Sequence, residues 1–284
     1  MALCLARHGA REDYAMKGCG ENWQLSEEAA SRPWDPPLSA EGILMGAALG
    51  VGLKQHLHRL EIPPVSRIIS SPMIRCLQTA AAAAEVLGIG AVAVEPGLSE
   101  GMLEDWYRSW AVPGADSTWG GPPHARVGTE LPSGTELHAS AHVPAHTLLH
   151  SPDGAAEALC AKGVSHISID ATYTPVAAPA AYQWERFETE AALAERMEST
   201  LHAIAARYPA ESVLALSHGG PCGHAHRQLL KEKAGAAPIA GYTALYVFVR
   251  ADDGTTWEAP LVADTTHLQQ QAELQQQAAS APKS

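Results

Sequence analysis

Two arginines bracket one histidine in Leu5-Ala6-Arg7-His8-Gly9-Ala10-Arg11. Each planar guanidinium can grip two oxygens of a phosphate. The imidazole between them has the character of a nucleophile toward that phosphorus, and Gly9 lets the backbone come close to a bound anion. Taken alone, Arg-His-Gly is equally at home in a surface turn with a solvated basic pair. Three further pieces bear on the choice: Arg75 in Ser70-Ser71-Pro72-Met73-Ile74-Arg75-Cys76, Glu100 closing Glu95-Pro96-Gly97-Leu98-Ser99-Glu100, and His218 in Ser217-His218-Gly219.

The elements around these residues decide whether they meet. Met1 to Ala6 reads as a buried strand that ends in Arg-His-Gly. Glu12 to Pro37 reads as irregular, closing in the rigid Arg32-Pro33-Trp34-Asp35-Pro36-Pro37. Ser39 is the expected N-cap of a helix from Ala40 to about Arg59, with glycines at spacing four suited to close packing on a neighbour. Val65 to Ser70 is a second strand, and Ser71-Pro72 starts a helix to about Leu87. Arg75 then lies in its first turn, where free N–H groups favour anions. Strands follow at Ala91–Val94, Ser212–Leu216 and Ala244–Val249, with Thr256–Val262 pairing onto the last; helices follow at 184–208 and from Pro221 to about Lys233. This order predicts an α/β fold with a mostly parallel central sheet and helices on both faces. Ligands of such sheets sit beyond the carboxyl ends of the strands, where the Arg-His-Gly, Ser-Ser-Pro and Ser-His-Gly turns all fall.

Composition bounds the function. The 284 residues are 46% hydrophobic, enough for a full core, and the net charge of -12 argues against nucleic acid or an anionic membrane as partner. Five scattered cysteines form no zinc pair and no disulfide framework, and no signal sequence or bilayer-spanning run is evident, so a reducing, cytoplasmic location is expected. Residues 1–267 are expected to form one domain with a long irregular insertion over 101–183, and 268–284 a low-complexity, disordered tail. The insertion carries Trp106, Tyr107, Trp110 and Trp119, suited to a lid over a leaving group; packing on a distant face is the other possibility. His138, His142, His146 and His150 recur every four residues, but Pro144 interrupts any helix, so a solvated loop is preferred to a metal site.

Taken together, the motifs resemble the histidine phosphatase superfamily, which has a phosphoglycerate mutase-like fold, and within it the TULA-type branch that includes the ecdysteroid-phosphate phosphatases. The resemblance rests on Arg7-His8-Gly9, Asp35 to Leu38, Ser71 to Ala80, Glu95 to Glu100, Ser217-His218-Gly219 and Trp257 to Leu261. It covers about residues 1–100 and 184–267. Ala10, Met45 and Gly46 depart from the usual pattern.

The resemblance implies a phosphomonoesterase acting through phosphohistidine, without metal or other cofactor, because the arginines supply the positive charge. His8 attacks phosphorus while its other ring nitrogen donates to a backbone carbonyl. Arg7, Arg11 and Arg75 bind the non-bridging oxygens. His218 donates to the same oxygens and can be cationic beside a dianion. Glu100 protonates the leaving oxygen and then activates water, with Glu95, Glu104 and Asp105 as rival carboxylates. The expected partner is a phosphorylated small molecule or phosphoprotein; the oligomeric state is open. The other readings are a non-catalytic phospho-ligand-binding module and a phosphoglycerate mutase-like phosphotransferase.

Overall fold

The structure is a computed structural model, and it describes residues 2–30, 32, 34–102, 149–177, 188–236, 239–251 and 256–280. Its strands are β1 (Ala2–Arg7), β2 (Val65–Ser70), β3 (Ala91–Val94), β4 (Ser168–Ile169), β5 (Ser212–Ser217), β6 (Leu245–Arg250) and β7 (Trp257–Asp264). Its helices are α1 (Glu12–Gly18), α2 (Ala40–Arg59), α3 (Ile74–Leu87), α4 (Pro152–Ala161), α5 (Glu190–Arg207), α6 (Gly219–Leu230) and α7 (Thr266–Ser280). The strands form one sheet in the order β4-β3-β2-β5-β1-β6-β7. Neighbours from β4 to β1 run parallel, while β6 is antiparallel to both β1 and β7. This is the mostly parallel sheet that the order of elements predicts.

The apolar runs of β1 and β5 follow from burial on both faces. Leu3 and Leu5 pack with Met197 and Leu201 of α5. Cys4 and Ala6, one residue out of phase, pack with Leu49 and Leu53 of α2 on the opposite face. The spaced glycines of α2 do allow a close crossing. A Cβ on Gly46 would come within 2.9 Å of Ala82 Cβ, and one on Gly50 within 2.9 Å of Val86 Cβ, both on α3. Parallel register sets Arg7 beside Ser217, and Ser70 beside both Leu216 and Val94. The turns after β1, β2, β3 and β5 therefore open on one edge.

Four expectations need correction. Ser71 does not begin α3: the helix starts at Ile74 with Met73 at the N-cap, and the Ile74 N–H is met by Asp35 Oδ1 at 3.0 Å. A cap contributes about 1 kcal/mol, and Asp35 supplies it, which leaves the Ser71 hydroxyl for a buried histidine. The segment expected to be irregular contains α1. Within the expected insertion, α4 begins at a Ser151 N-cap and packs Ala155 and Leu159 on Leu77, and β4 extends the sheet beside β3. Finally, the expected disordered tail is helical to Ser280. Gln and Ala favour helix, Asp264 Oδ1 accepts from Thr266 N at 3.1 Å, and buried His267 fixes the first turn against Gly52 of α2.

Candidate active site

His8 is the first residue beyond β1, and four backbone or side-chain bonds fix its neighbourhood. His8 N–H donates to Ser217 O (3.0 Å), Thr243 N–H donates to His8 O (3.2 Å), and Gly9 N–H donates to Thr79 Oγ1 (3.0 Å). His8 Nδ1 lies 2.7 Å from Gly9 O. A carbonyl only accepts, so Nδ1 carries the hydrogen and Nε2 presents its lone pair. Burial, then the charges of Arg75 and Arg7, hold this imidazole well below its ordinary pKa, so it stays neutral. The turn sits close to the start of α2: a Cβ on Gly9 would overlap the Gly42 carbonyl oxygen.

The three expected arginines surround this point but are held differently. Arg75 is fully buried in the first turn of α3, with NH1 3.4 Å from Asp35 Oδ1 and NH2 3.9 Å from Glu100 Oε2. Its Nε and NH2 have no hydrogen-bond partner. Arg7 is half-buried, donates NH1 to Ala240 O at 2.7 Å, and leaves its buried Nε without a partner. Arg11 turns a fork of Nε and NH2 onto the buried Asp13 carboxylate. An unmet buried donor costs about 1–3 kcal/mol, so three such positions on Arg7 and Arg75 call for an acceptor.

His218 caps the start of α6, and its ring meets His8 edge-on with centroids 5.2 Å apart. Its Nε2 lies 2.9 Å from Ser71 Oγ and 3.4 Å from Cys76 Sγ; its Nδ1 lies 3.6 Å from Glu100 Oε2. Burial and Arg75 push its pKa well below the ordinary value, so the protein by itself holds this ring neutral rather than cationic. Glu100 is the carboxyl that reaches this cluster. Its rival Glu95 is occupied, accepting from Gly97 N (3.0 Å), Tyr173 OH (2.7 Å) and Val176 N (2.7 Å). Glu104 and Asp105 lie outside the described residues.

Several residues at the site have no assigned role in the sequence reading. Asp35 joins the α3 N-terminus to Arg75 through Oδ1, while Oδ2 meets Arg32 NH2 (3.1 Å) and His150 Nε2 (3.1 Å). Burial works against its ionisation, but the His150 bond and the Arg32 and Arg75 charges outweigh it and bring the carboxyl down to about 2. Its place in the Asp-Pro-Pro-Leu motif was the available signal. Arg196, fully buried on α5, donates to Gly97 O (2.8 Å), Ser99 O (3.2 Å) and Glu100 O (3.2 Å) and is balanced by Glu188, so it clamps the loop that carries Glu100. Tyr242 lays its ring on Arg7, 4.3 Å from the guanidinium carbon. No motif pointed to it, because β6 is antiparallel and brings its amino end to an edge defined by carboxyl ends.

Among the described residues, no group of three or more His, Cys, Asp or Glu side chains is placed to hold a metal ion, and no helix is long and apolar enough to cross a membrane. Of the histidine series, His150 sits on Asp35; His138, His142 and His146 lie outside the described residues, as do Trp106, Tyr107, Trp110 and Trp119.

Comparison with known proteins places this arrangement. Among curated proteins, none matches the chain. Solved structures with the same fold include the ecdysone phosphate phosphatase of Bombix mori in complex with tungstate, at 18% identity over 91% of each chain and TM-score 0.55. They also include phosphoglycerate mutase from Bacillus anthracis, at 15% identity over 96% of each chain and TM-score 0.52. A mycobacterial glucosyl-3-phosphoglycerate phosphatase matches at 19% identity over 93% of this chain and 99% of its own, with TM-score 0.50. The family model for the histidine phosphatase superfamily (branch 1) matches residues 3–133 and 162–262. Those two stretches hold His8, Arg75, Glu100 and His218 and make up most of the sequence: the chain belongs to the histidine phosphatase superfamily.

Proposed function

We propose that the protein is a phosphomonoesterase that passes through a phosphohistidine at His8. The observation that carries this reading is the set of buried, unpartnered N–H groups on Arg7 and Arg75 around an imidazole whose Nε2 lone pair is fixed by the Gly9 carbonyl. A phosphate dianion supplies acceptors for those donors and an electrophile for that lone pair. In support, the Bombix mori ecdysone phosphate phosphatase shares this fold, and its structure holds the oxyanion tungstate.

In the first step His8 Nε2 forms a bond to phosphorus as the bond to the leaving oxygen breaks. Arg7 and Arg75 offer their unpartnered N–H groups to the non-bridging oxygens, and Arg11, held on Asp13, adds its positive charge beside them. The dianion favours a proton on His218, which then donates to the same oxygens. Glu100 gives its proton to the leaving oxygen. In the second step water attacks phosphorus, Glu100 takes the water proton, and the nitrogen–phosphorus bond breaks to free His8 and inorganic phosphate. The chemistry needs only the protein's own cations.

The Glu100 role is tested by leaving group. In Glu100→Gln, alkyl phosphates, whose alkoxide needs a proton, should slow about 100-fold or more, and p-nitrophenyl phosphate by less than about tenfold. Equal losses on both would make Glu100 a binding group. No turnover of any phosphomonoester by the wild-type protein, with phosphate still bound, would leave a phospho-ligand-binding module instead.

A further inference from the structure

One turn, residues 240–244, holds Arg7 and His8 from the antiparallel side of the sheet. Arg7 N–H donates to Ala244 O (3.2 Å), Thr243 N–H donates to His8 O (3.2 Å), and Ala240 O accepts from Arg7 NH1 (2.7 Å). Tyr242, at the centre of the turn, covers one face of the Arg7 guanidinium at 4.3 Å and lies 5.9 Å from the His8 ring. Gly219, at the start of α6, lies against the Arg7 side chain: a Cβ there would be in ordinary contact with the guanidinium carbon and Nε at 3.4 Å.

The turn is strained. Thr243, a buried β-branched residue, has φ of +52°, a conformation that persists only where its surroundings over-determine it. Here they do. Besides the bond to His8, Thr243 Oγ1 lies 2.9 Å from Nε2 of His267 on α7, and Ala244 N–H closes the turn on Gly241 O at 3.1 Å.

We propose that Tyr242 is the positioning residue for Arg7: its ring face fixes the plane of the guanidinium so that the unpartnered Nε meets the phosphate. The proposal deepens the phosphatase reading and uses the same site. A cation–π contact between two half-buried groups lies between the exposed and desolvated limits, about a tenfold change in an equilibrium constant.

The test measures inorganic phosphate binding by calorimetry, with kcat and KM for phenyl phosphate, in the full-length protein. Tyr242→Phe keeps the ring face and should bind phosphate within about twofold of wild type. Tyr242→Leu should lose about tenfold in phosphate affinity and show the loss mainly in KM. Should Tyr242→Leu misfold, a fluorinated phenylalanine at the same position keeps the shape, removes the ring's negative face, and should show the same loss. Unchanged phosphate binding in Tyr242→Leu or in the fluorinated variant overturns the proposal, as does an equal loss in Tyr242→Phe. Turnover that stays normal while binding is unchanged refutes the Tyr242 role alone. Binding that weakens as expected in a protein without turnover refutes the phosphatase reading and leaves the Tyr242 role standing.

Discussion

The end of β1 carries Arg7 and His8, the segment 149–177 reaches Arg75 through His150 and Asp35, and the two are built in different ways. At β1, backbone bonds to β5 and to the turn before β6 lock Arg7 and His8 on both sides. In 149–177, β4 is two residues long, and the ties to the rest of the molecule are mostly side chains: His150 to Asp35, Lys162 to Glu28, Tyr173 to Glu95. The proposed reacting groups thus stand on the sheet edge, whereas the peripheral segment meets the site through the Asp35 and Glu95 carboxylates and through the packing of α4 on α3. Substitutions on the two sides should therefore differ by orders of magnitude.

On the sheet side, His8→Ala removes the proposed acceptor of the phosphoryl group and should cut kcat for p-nitrophenyl phosphate by at least about a thousandfold. Activity near the wild-type level would break the contrast outright.

Asp35 is where the two regions meet. Asp35→Asn keeps a carbonyl oxygen for the Ile74 N–H but loses the charge that holds Arg75 NH1. We expect kcat/KM to fall about tenfold and inorganic phosphate to inhibit less well, since a small displacement of a positioning group is costly. Tighter phosphate inhibition would mean that the lost negative charge matters more than the geometry of Arg75. By comparison, His150→Ala removes only the peripheral tie and should change kcat/KM by less than about threefold.

How much of this was legible in the sequence follows the same division. His8 and His218 sit just beyond strand ends and Arg75 in the first turn of the helix that follows β2; parallel pairing brings all three to one edge, so spacing alone could group them. At Ser71, local helix-start chemistry competes with a tertiary partner: a buried imidazole nitrogen 2.9 Å away takes the hydroxyl, and Asp35, 39 positions before Ile74, caps the helix instead. The composition of α7 is that of a low-complexity tail; the Asp264 bond to Thr266 N that starts it is local, but what holds the start in place is long-range, Asp264 on His56 and His267 on Thr243, and leaves no periodic trace. Tyr242 and Arg196 were invisible for a related reason. Each acts on a residue far away in the chain, and nothing in its own neighbourhood marks it.

The smallest expected effect concerns pH. Burial holds His8 and His218 well below the ordinary imidazole value and His267 at about 4. In the unfolded chain these groups bind protons near pH 6.5. Between that pH and their folded values the unfolded state carries more protons, so stability falls as pH is lowered. Asp35 does not enter this window, because its stabilisation is lost only as pH drops below the ordinary carboxylate value of 3.8 toward about 2. The melting temperature should therefore fall by a few degrees between about pH 7.5 and about pH 5.5, and less so with phosphate bound. A rise on acidification would contradict the neutral, buried state of these histidines.

The most direct measurement is the covalent state of His8 during turnover. Protein mixed with a phosphate-labelled ester and quenched in alkali, which preserves phosphohistidine, is digested and its labelled peptide sequenced. The label should lie on His8, approach one phosphate per chain early in turnover, be released by acid, and be absent from His8→Ala. Turnover without label on His8, or with label on another residue, would contradict the account.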